Sequence, residues 1–133
     1  MPVEEERSKA RRHPGFGRDA RLRNRRQLDA MKKEGHRSAG AYCVVIGLKE
    51  PPDGQRRAAF LISRRYSHLA VARNRARRLF REAYRCLFPE LMACWMVMIP
   101  RHRMLSDAGF GVVYEDIRKQ CQRLGVLQGQ DAG

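Results

Sequence analysis

The sequence contains no apolar run of the roughly 18 residues that a bilayer-spanning helix requires. Its charged N-terminal region also lacks the continuous apolar core of a signal peptide. These two absences argue against a membrane anchor and against export. We therefore expect a cytoplasmic protein without a membrane partner.

Cysteines are few and widely spaced. No two of them form a Cys-x-x-Cys pair, and each lies among apolar residues, as is typical of buried, reduced cysteine. The four are Cys43, Cys86, Cys94 and Cys121. Their spacing argues against structural zinc and against a disulfide framework.

No grouping of residues typical of a protein catalytic site is present. The histidines lie apart in polar, arginine-containing sequence, which favours surface roles or contacts with nucleic acid. They are His13, His36, His68 and His102. Asp107, Glu115 and Asp116 come nearest to a carboxylate cluster, but at the start of the last predicted helix they would stabilise its dipole. Glu82, one turn after Arg77 and Arg78, is predicted to position an arginine. We therefore predict no catalytic residue and no metal ligand.

Acidic residues are scarce relative to basic ones. The chain has 133 residues, with 14 Asp and Glu against 28 Lys and Arg, and its formal net charge is +14. Self-repulsion destabilises a compact protein with this charge unless a polyanion screens it. Arginine, which outnumbers lysine here, binds phosphate through two hydrogen bonds and stacks on bases. The length predicts one domain, and the charge predicts a nucleic-acid partner, with a membrane surface as the weaker alternative.

A predicted helix over residues 71–88 is the strongest pattern in the sequence. Apolar residues recur there at helical spacing and predict one buried stripe. The stripe consists of Ala76, Leu79, Phe80, Ala83, Tyr84 and Leu87. Six arginines against one glutamate leave the segment with a charge of +5, so its other face is cationic. This face requires counter-charges from outside the chain, and phosphate is the first candidate.

The ends of the chain differ from its middle. Residues 1–20 are interpreted as a flexible basic arm, with a solubilising tail as the equally weighted alternative for residues 7–18. Residues 125–133 are interpreted as a flexible tail. A short helix is predicted over residues 25–33, between the N-cap Asn24 and the terminating Gly35.

Strands and a last helix account for the remainder. Residues 41–48 and 58–63 have strand composition and are predicted to form a hairpin around turn residues 51–54. Residues 92–99 are apolar on both alternating faces, which predicts a central buried strand. An amphipathic helix over residues 113–124 closes the predicted domain.

One resemblance is specific. Residues 73–85 read Arg-Asn-Arg-Ala-Arg-Arg-Leu-Phe-Arg-Glu-Ala-Tyr-Arg and closely resemble the signature R-N-R-x-x-R-x-x-R-E-x-(F/Y)-R of the bacterial ribonuclease P protein subunit. Ser63-Arg64-Arg65 is similar to the family's Ser-Lys-Lys strand end, and residues 22–35 are similar to its first helix. The order of elements matches over residues 21–124. A structural RNA-binding module, such as a ribosomal or chaperone-like protein, is the alternative, but it needs arginines without this fixed order.

The resemblance implies an α+β fold over residues 21–124. It is a single-domain α/β sandwich of order αβββαβα, in the class shared with the second domain of a small-subunit ribosomal protein. The signature helix would join two parallel strands by a left-handed crossover, against the general preference for right-handed connections.

The resemblance also implies a function. The chain would partner a catalytic RNA, one protein to one RNA, which with Mg²⁺ hydrolyses precursor tRNA to release the 5′ leader. The catalytic centre and most of the Mg²⁺ would belong to the RNA. The signature helix would contact that RNA. The residues implied for this contact are Arg73, Asn74, Arg75, Arg77, Arg78 and Arg81.

The 5′ leader would lie in a cleft between the first helix and the sheet. Where the family carries aromatic residues, this chain has Leu28, Lys32 and Ile46, which weakens base stacking. Strand alternation predicts that Tyr42 shares a face with Val44 and Ile46 and offers a replacement stacking platform, with core packing as the equally weighted alternative. The predicted cleft consists of Leu28, Lys32, Tyr42, Val44, Ile46, Arg64 and Arg65.

Overall fold

The structure, a computed structural model, describes residues 21–22, 24–101 and 108–129. The arm predicted over residues 1–20 lies outside this part of the chain. Within the described residues, three α-helices and four strands follow one another in the predicted order αβββαβα. The elements are α1 (Arg25–Glu34), β1 (His36–Ala39), β2 (Cys43–Lys49), β3 (Arg57–Phe60), α2 (Ala70–Leu87), β4 (Cys94–Pro100) and α3 (Phe110–Leu124), with a 3₁₀ turn (Phe88–Glu90) before β4.

The four strands form one sheet in the order β1-β2-β4-β3. β2 pairs antiparallel with both β1 and β4, and β3 pairs in parallel with β4. The hairpin predicted from residues 41–48 and 58–63 is therefore wrong, because β4 lies between these strands. β4 is almost entirely buried, and an interior position covers more of its apolar surface than an edge would. The prediction of a central buried strand over residues 92–99 is confirmed.

Helix α2 connects the two parallel strands. In the register of β3 with β4, Arg57 is the partner of Trp95 and Phe60 is the partner of Met98. The predicted joining of parallel strands through the signature helix is thereby confirmed. The left-handed sense of this crossover stays a prediction.

Each face of the sheet carries its own apolar core. On one face, α2 and α3 pack over inward side chains that include Val45 and Met96. On the other face, Met31 of α1 packs in a second cluster with Trp95 and Val97. The side chains of β4 alternate between the two clusters, as a strand covered on both faces requires. The result is the predicted α+β sandwich, and the structure shows that it has three layers.

Local capping sets the ends of the helices. Asn24 and Gln27 form a capping box, in which the Asn24 side chain accepts the Gln27 N–H at 2.8 Å. The N–H of Gly35 donates to the carbonyl of Met31 at 2.9 Å and closes α1. Gly125 ends α3 with a φ of 72°, which favours glycine. These caps confirm the predicted caps of α1 and the predicted C-terminal end of α3. No helix in the described part of the chain could span a bilayer, since even α2, with 18 residues, carries six arginines.

Residues 126–128 continue the folded domain. Val126 and Leu127 are buried, and the Val126 carbonyl accepts the N–H of Met92 at 2.9 Å. Leu127 forms an isolated β-bridge with Leu91. The flexible tail predicted from residue 125 is therefore wrong for this segment, because its two aliphatic side chains complete the core beside the 3₁₀ turn. Residues 130–133 of the predicted tail lie outside the described residues.

A buried polar network joins α3 to the turn between β1 and β2. Gln120 is fully buried, donates to the Cys43 carbonyl at 3.0 Å and accepts the Val45 N–H at 3.1 Å. Asp116 accepts the N–H of Tyr42 at 3.1 Å. Since buried polar groups are stable only when hydrogen-bonded, this network fixes how α3 packs on the sheet.

The dipole role predicted for Glu115 and Asp116 is wrong. Helix α3 begins at Phe110, three residues before the predicted start, and no acidic residue lies in its first turn. Asp107 lies outside the described residues. Asp116 instead holds the β1-β2 turn, and a Cβ at Gly40 would overlap its carboxylate. The turn therefore requires glycine at this position.

Replacing Gln120 with methionine should destabilise the fold by about 1 to 3 kcal/mol, because the Val45 N–H loses the side-chain acceptor while the Cys43 carbonyl keeps the Gly40 N–H. Methionine preserves the side-chain length, so packing changes little. Urea denaturation measures the effect. The control Lys119→Met, exposed on the same helix, should change the free energy of unfolding by less than about 0.5 kcal/mol. Equal stabilities for the two variants would contradict a structural role for the network.

Candidate nucleic-acid interface

Helix α2 has one buried face and one exposed face. Its fully buried side chains pack toward the sheet and α3 in the first core. They are Ala76, Phe80, Ala83, Tyr84 and Leu87. Leu79 is partly buried against the same core, so the predicted apolar stripe is confirmed. Because the stripe fixes the rotation of the helix, the residues on the opposite side face away from the core.

Five residues on this opposite side line a surface groove of about 460 Å³, which we call the arginine groove. They are Val71, Asn74, Arg77, Arg78 and Arg81. Four of them are among the six residues predicted to contact RNA. None of the five is acidic, so the electrostatic potential in the groove is positive.

Two residues of the arginine groove are bonded to each other. Asn74 Oδ1 accepts a hydrogen bond from Arg77 Nη1 at 3.0 Å. Arg78, one residue further along, is exposed. Guanidinium groups held side by side on one helix face suit the oxygens of successive phosphates, which they bind by charge-assisted hydrogen bonds.

Arg73 and Arg75, the other two predicted RNA contacts, bond to the protein's own backbone. Arg73 Nη1 donates to the Ser67 carbonyl at 2.9 Å, and Arg75 Nη2 donates to the Ala108 carbonyl at 3.1 Å. Ser67 belongs to the turn before α2, and Ala108 lies just before α3. These bonds tie α2 to its neighbouring segments. Contact of either arginine with RNA stays a prediction.

Glu82 lies on α2 beyond the arginine groove. Its carboxylate forms an ion pair with Arg85, and one of the two hydrogen bonds, from Arg85 Nε, measures 3.2 Å. The prediction that Glu82 positions an arginine is confirmed, and the partner lies on the next turn. The pair neutralises the C-terminal part of the helix, so the positive charge is concentrated in the groove.

The sheet face under α1 carries most of the predicted leader cleft. Leu28 and Ile46 pack in the same apolar cluster. Val44 lies two residues before Ile46 and pairs with Ile99 of β4. Lys32, one turn after Leu28, is exposed. The structure therefore brings the aliphatic part of the predicted cleft together on one face.

Arg64 and Arg65 are exposed in the turn that follows β3. Phe60, the last residue of β3, is the partner of Met98, so the turn leaves the sheet at the end where β2 begins and β4 finishes. The Arg65 N–H donates to the Ser63 hydroxyl at 3.2 Å, which shapes the turn. Both arginines thus lie near the end of the cleft that contains Val44.

Tyr42 does not share a face with Ile46. It lies in a bend before β2, and its side chain packs against the core that α2 and α3 cover. The placement predicted from strand alternation is wrong, because the strand begins only at Cys43. The alternative of core packing is confirmed. Contact of Tyr42 with a leader base stays a prediction, without the support of that alternation.

Two residues that sequence reasoning did not assign belong to these surfaces. Val71 lines the arginine groove, and Ile99 lies beside Val44 on the cleft face. The sequence contained a feature that could have identified each residue. Val71 falls off the apolar stripe in a helix rich in arginine, and Ile99 continues the alternation that buries Val97.

The cysteine thiols of the described core are unreactive. Burial raises the pKa of Cys94 and of Cys121 to about 12. Burial and then the nearby Asp116 carboxylate raise the pKa of Cys43 in the same direction. These thiols are protonated at neutral pH and are poor nucleophiles. Among the residues that the structure describes, no group of three His, Cys, Asp or Glu side chains could hold a metal ion.

Two of the four histidines lie in the described part of the chain. His36 and His68 are exposed, in agreement with surface positions. His13 and His102 lie outside the described residues.

Known sequences match most of the chain. A family model described as Ribonuclease P matches residues 16–125. A ribonuclease P protein component from a Roseiflexus species is 34% identical over 117 residues, which cover 85% of this chain and 92% of the relative. The ribonuclease P protein component of Microcystis aeruginosa is 37% identical over 107 residues, covering 78% of this chain and 86% of the relative.

Solved structures share the fold. The RNase P protein of Staphylococcus aureus superposes with a TM-score of 0.72 over 82% of this chain and 98% of its own, and at 19% identity it supports the fold alone. The RNase P protein of Thermotoga maritima has a TM-score of 0.67 at 27% identity, covering 77% of this chain and 96% of its own.

Arg75→Ala should lower the free energy of unfolding by about 1 to 2 kcal/mol, because it removes the charge-assisted hydrogen bond to the Ala108 carbonyl. Arg78→Ala removes the same charge from the exposed side of the same helix and should change stability by less than about 0.5 kcal/mol. Urea denaturation of both variants measures the difference. If the two variants unfolded at the same urea concentration, the Ala108 contact would not hold α2 in place.

Proposed function

The chain belongs to the ribonuclease P protein family, and we propose that its arginine groove binds the catalytic RNA of that enzyme. As a ribonuclease P protein component, the chain is a subunit of the ribonucleoprotein endonuclease that acts in tRNA processing. In the proposed function, it assists the RNA in hydrolysing precursor tRNA to release the 5′ leader and leave the mature 5′ end.

The arginine groove is the observation that supports this proposal most directly. Arg77, Arg78 and Arg81 converge on one surface whose residue order matches the family signature. A-form RNA is contacted mainly through phosphates and ribose hydroxyls, which three adjacent guanidinium groups can bind together. One groove on one helix suits one protein for each RNA, and we propose this 1:1 stoichiometry.

We assign the catalytic centre and its Mg²⁺ to the RNA subunit. Three described carboxylates that could attract Mg²⁺ are committed elsewhere, since Asp53, Glu82 and Glu90 form ion pairs with arginines. The negative charge of these three carboxylates is therefore already balanced by arginine. The contribution of the protein is to bind and position RNA, and its positive charge offsets the repulsion between RNA segments that Mg²⁺ would otherwise screen.

We further propose that the 5′ leader of precursor tRNA lies on the sheet face under α1. Trp95, an aromatic residue of this face, is buried and donates its Nε1–H to Asp53 at 2.9 Å, so it is not available for stacking on a base. The guanidinium planes of Arg64 and Arg65 are exposed and can stack on unpaired bases. Leader affinity would help the enzyme to select precursor tRNA over its product.

The full chain, added to a transcript of a bacterial ribonuclease P RNA, should stimulate 5′ cleavage of precursor tRNA at low Mg²⁺. The triple variant Arg77→Ala, Arg78→Ala, Arg81→Ala should bind the RNA more weakly. The slope of log affinity against log salt should flatten by about 0.7 to 0.9 for each phosphate that the variant no longer neutralises. Filter binding over a series of salt concentrations measures the slope, and gel analysis of the tRNA measures cleavage.

A matched control removes charge elsewhere. Lys119→Ala with Arg123→Ala takes two exposed cations from α3 and should leave the salt slope near its native value. Failure of the native chain to stimulate cleavage would refute the proposed function. A native slope in the triple variant would show that the groove arginines do not meet phosphate.

Arg64→Ala with Arg65→Ala should weaken binding of leader-bearing tRNA to the assembled enzyme by about tenfold, the effect of removing one stacked base. Mature tRNA lacks the leader, so its affinity should stay within about twofold. Equilibrium binding of both tRNAs provides the comparison, and the double variant on α3 serves again as the control. Equal losses of affinity for the two tRNAs would place these arginines on the tRNA body instead.

A further inference from the structure

Val71 is an exposed valine in a groove that is otherwise polar and cationic. Its exposure is 77%, and it is the second residue of α2. Asn74 and Arg78 follow one and two turns later on the same side of the helix. Valine is a poorer helix former than alanine, lysine or arginine, and its exposed methyl groups are unfavourable in water. Val71 therefore gives the groove an exposed aliphatic surface beside its polar and cationic groups.

The arginine groove thus combines phosphate-binding groups with an aliphatic wall. A continuous RNA duplex presents phosphates, ribose hydroxyls and base edges, while the apolar faces of its bases are stacked inside the helix. A duplex would satisfy the arginines and leave Val71 in water. An unpaired nucleotide presents a base face together with its phosphate, so it complements both parts of the groove.

The dimensions and donors of the groove agree with such an occupant. Its volume of about 460 Å³ falls within the roughly 300 to 1,000 Å³ of typical ligand pockets. The Asn74 Oδ1 atom already accepts from Arg77, so the amide NH₂ of Asn74 is the group that remains to bond a ligand. Unpaired bases carry ring-nitrogen and carbonyl acceptors that match this donor.

We propose that the arginine groove holds an unpaired nucleotide of the RNA partner. The base lies against Val71, the Asn74 amide donates to the base edge, and Arg78 and Arg81 bind the adjoining phosphates. This inference rests on the proposed function, because it specifies which element of the bound RNA the groove recognises. That element is a bulge or loop rather than an uninterrupted duplex.

Val71→Ala tests the aliphatic wall without changing charge. Alanine has the higher helix propensity, so the melting temperature should not fall. Affinity for a bacterial ribonuclease P RNA transcript should decrease about fivefold to tenfold, because two methyl groups no longer cover the base. The salt slope should stay at its native value, since every phosphate remains neutralised. Val71→Ile keeps the wall and should bind as the native chain does.

Leu69→Ala is the matched control. Leu69 is an aliphatic residue at the same end of α2, 69% exposed, and it does not line the groove. This variant should bind RNA with native affinity. Chemical probing of ribose 2′-hydroxyls supplies a second readout. An unpaired nucleotide that is protected in the native and Leu69→Ala complexes should regain reactivity in the Val71→Ala complex.

Two results would overturn the inference. One is equal RNA affinity for Val71→Ala and Leu69→Ala. The other is protection confined to the sugar-phosphate backbone of paired nucleotides, with no unpaired nucleotide responding to Val71→Ala. Failure of the native chain to bind the transcript at all is a separate outcome, since it would refute the proposed function itself.

Discussion

The packing of Phe80 and Tyr84 against the sheet is the interaction on which the rest of the protein depends. Both rings lie close to Phe60 of β3, with centroids at 6.1 and 6.3 Å. A rotation of α2 that carried the arginines toward the core would expose these rings and bury unpaired charge, and both changes are strongly unfavourable. The apolar core therefore determines which side of α2 is left on the surface.

Arginines of one helix serve two different purposes. Arg73 and Arg75 bond to backbone carbonyls of the turn before α2 and of the segment before α3, whereas Arg77, Arg78 and Arg81 line the groove. At the C-terminal end of α2, the Cζ atom of Arg56 lies 3.8 Å from the centre of the Phe88 ring. Arg56 also donates a hydrogen bond to the Phe88 carbonyl, and the two contacts secure this end of the helix. A family signature made largely of one residue type thus encodes both the position of the helix and the surface that it presents.

Features set by neighbouring residues could be predicted from the sequence, and features set by distant contacts could not. The caps at Asn24 and Gly125 are local and were predicted, as was the turn in which the Gly54 N–H donates to the Pro51 carbonyl at 3.0 Å. That turn suggested a hairpin, but strand pairing depends on β4, which comes much later in the chain. In the site, helical spacing predicted the arginine face of α2. Strand alternation did not predict the placement of Tyr42, because the packing of this residue depends on α2 and α3.

The central position of β4 has a consequence for how the protein forms. β1, β2, β3 and α2 all precede β4 in the chain, yet β2 and β3 are joined only through it. Non-local pairing of this kind is slow, so during synthesis α2 emerges before the sheet that covers its apolar side is complete. Its arginines are already present in that interval, and RNA bound to them would reduce the self-repulsion of a chain with a net charge of +14. We therefore expect the RNA to act on the protein as a folding partner, before the protein acts on the RNA.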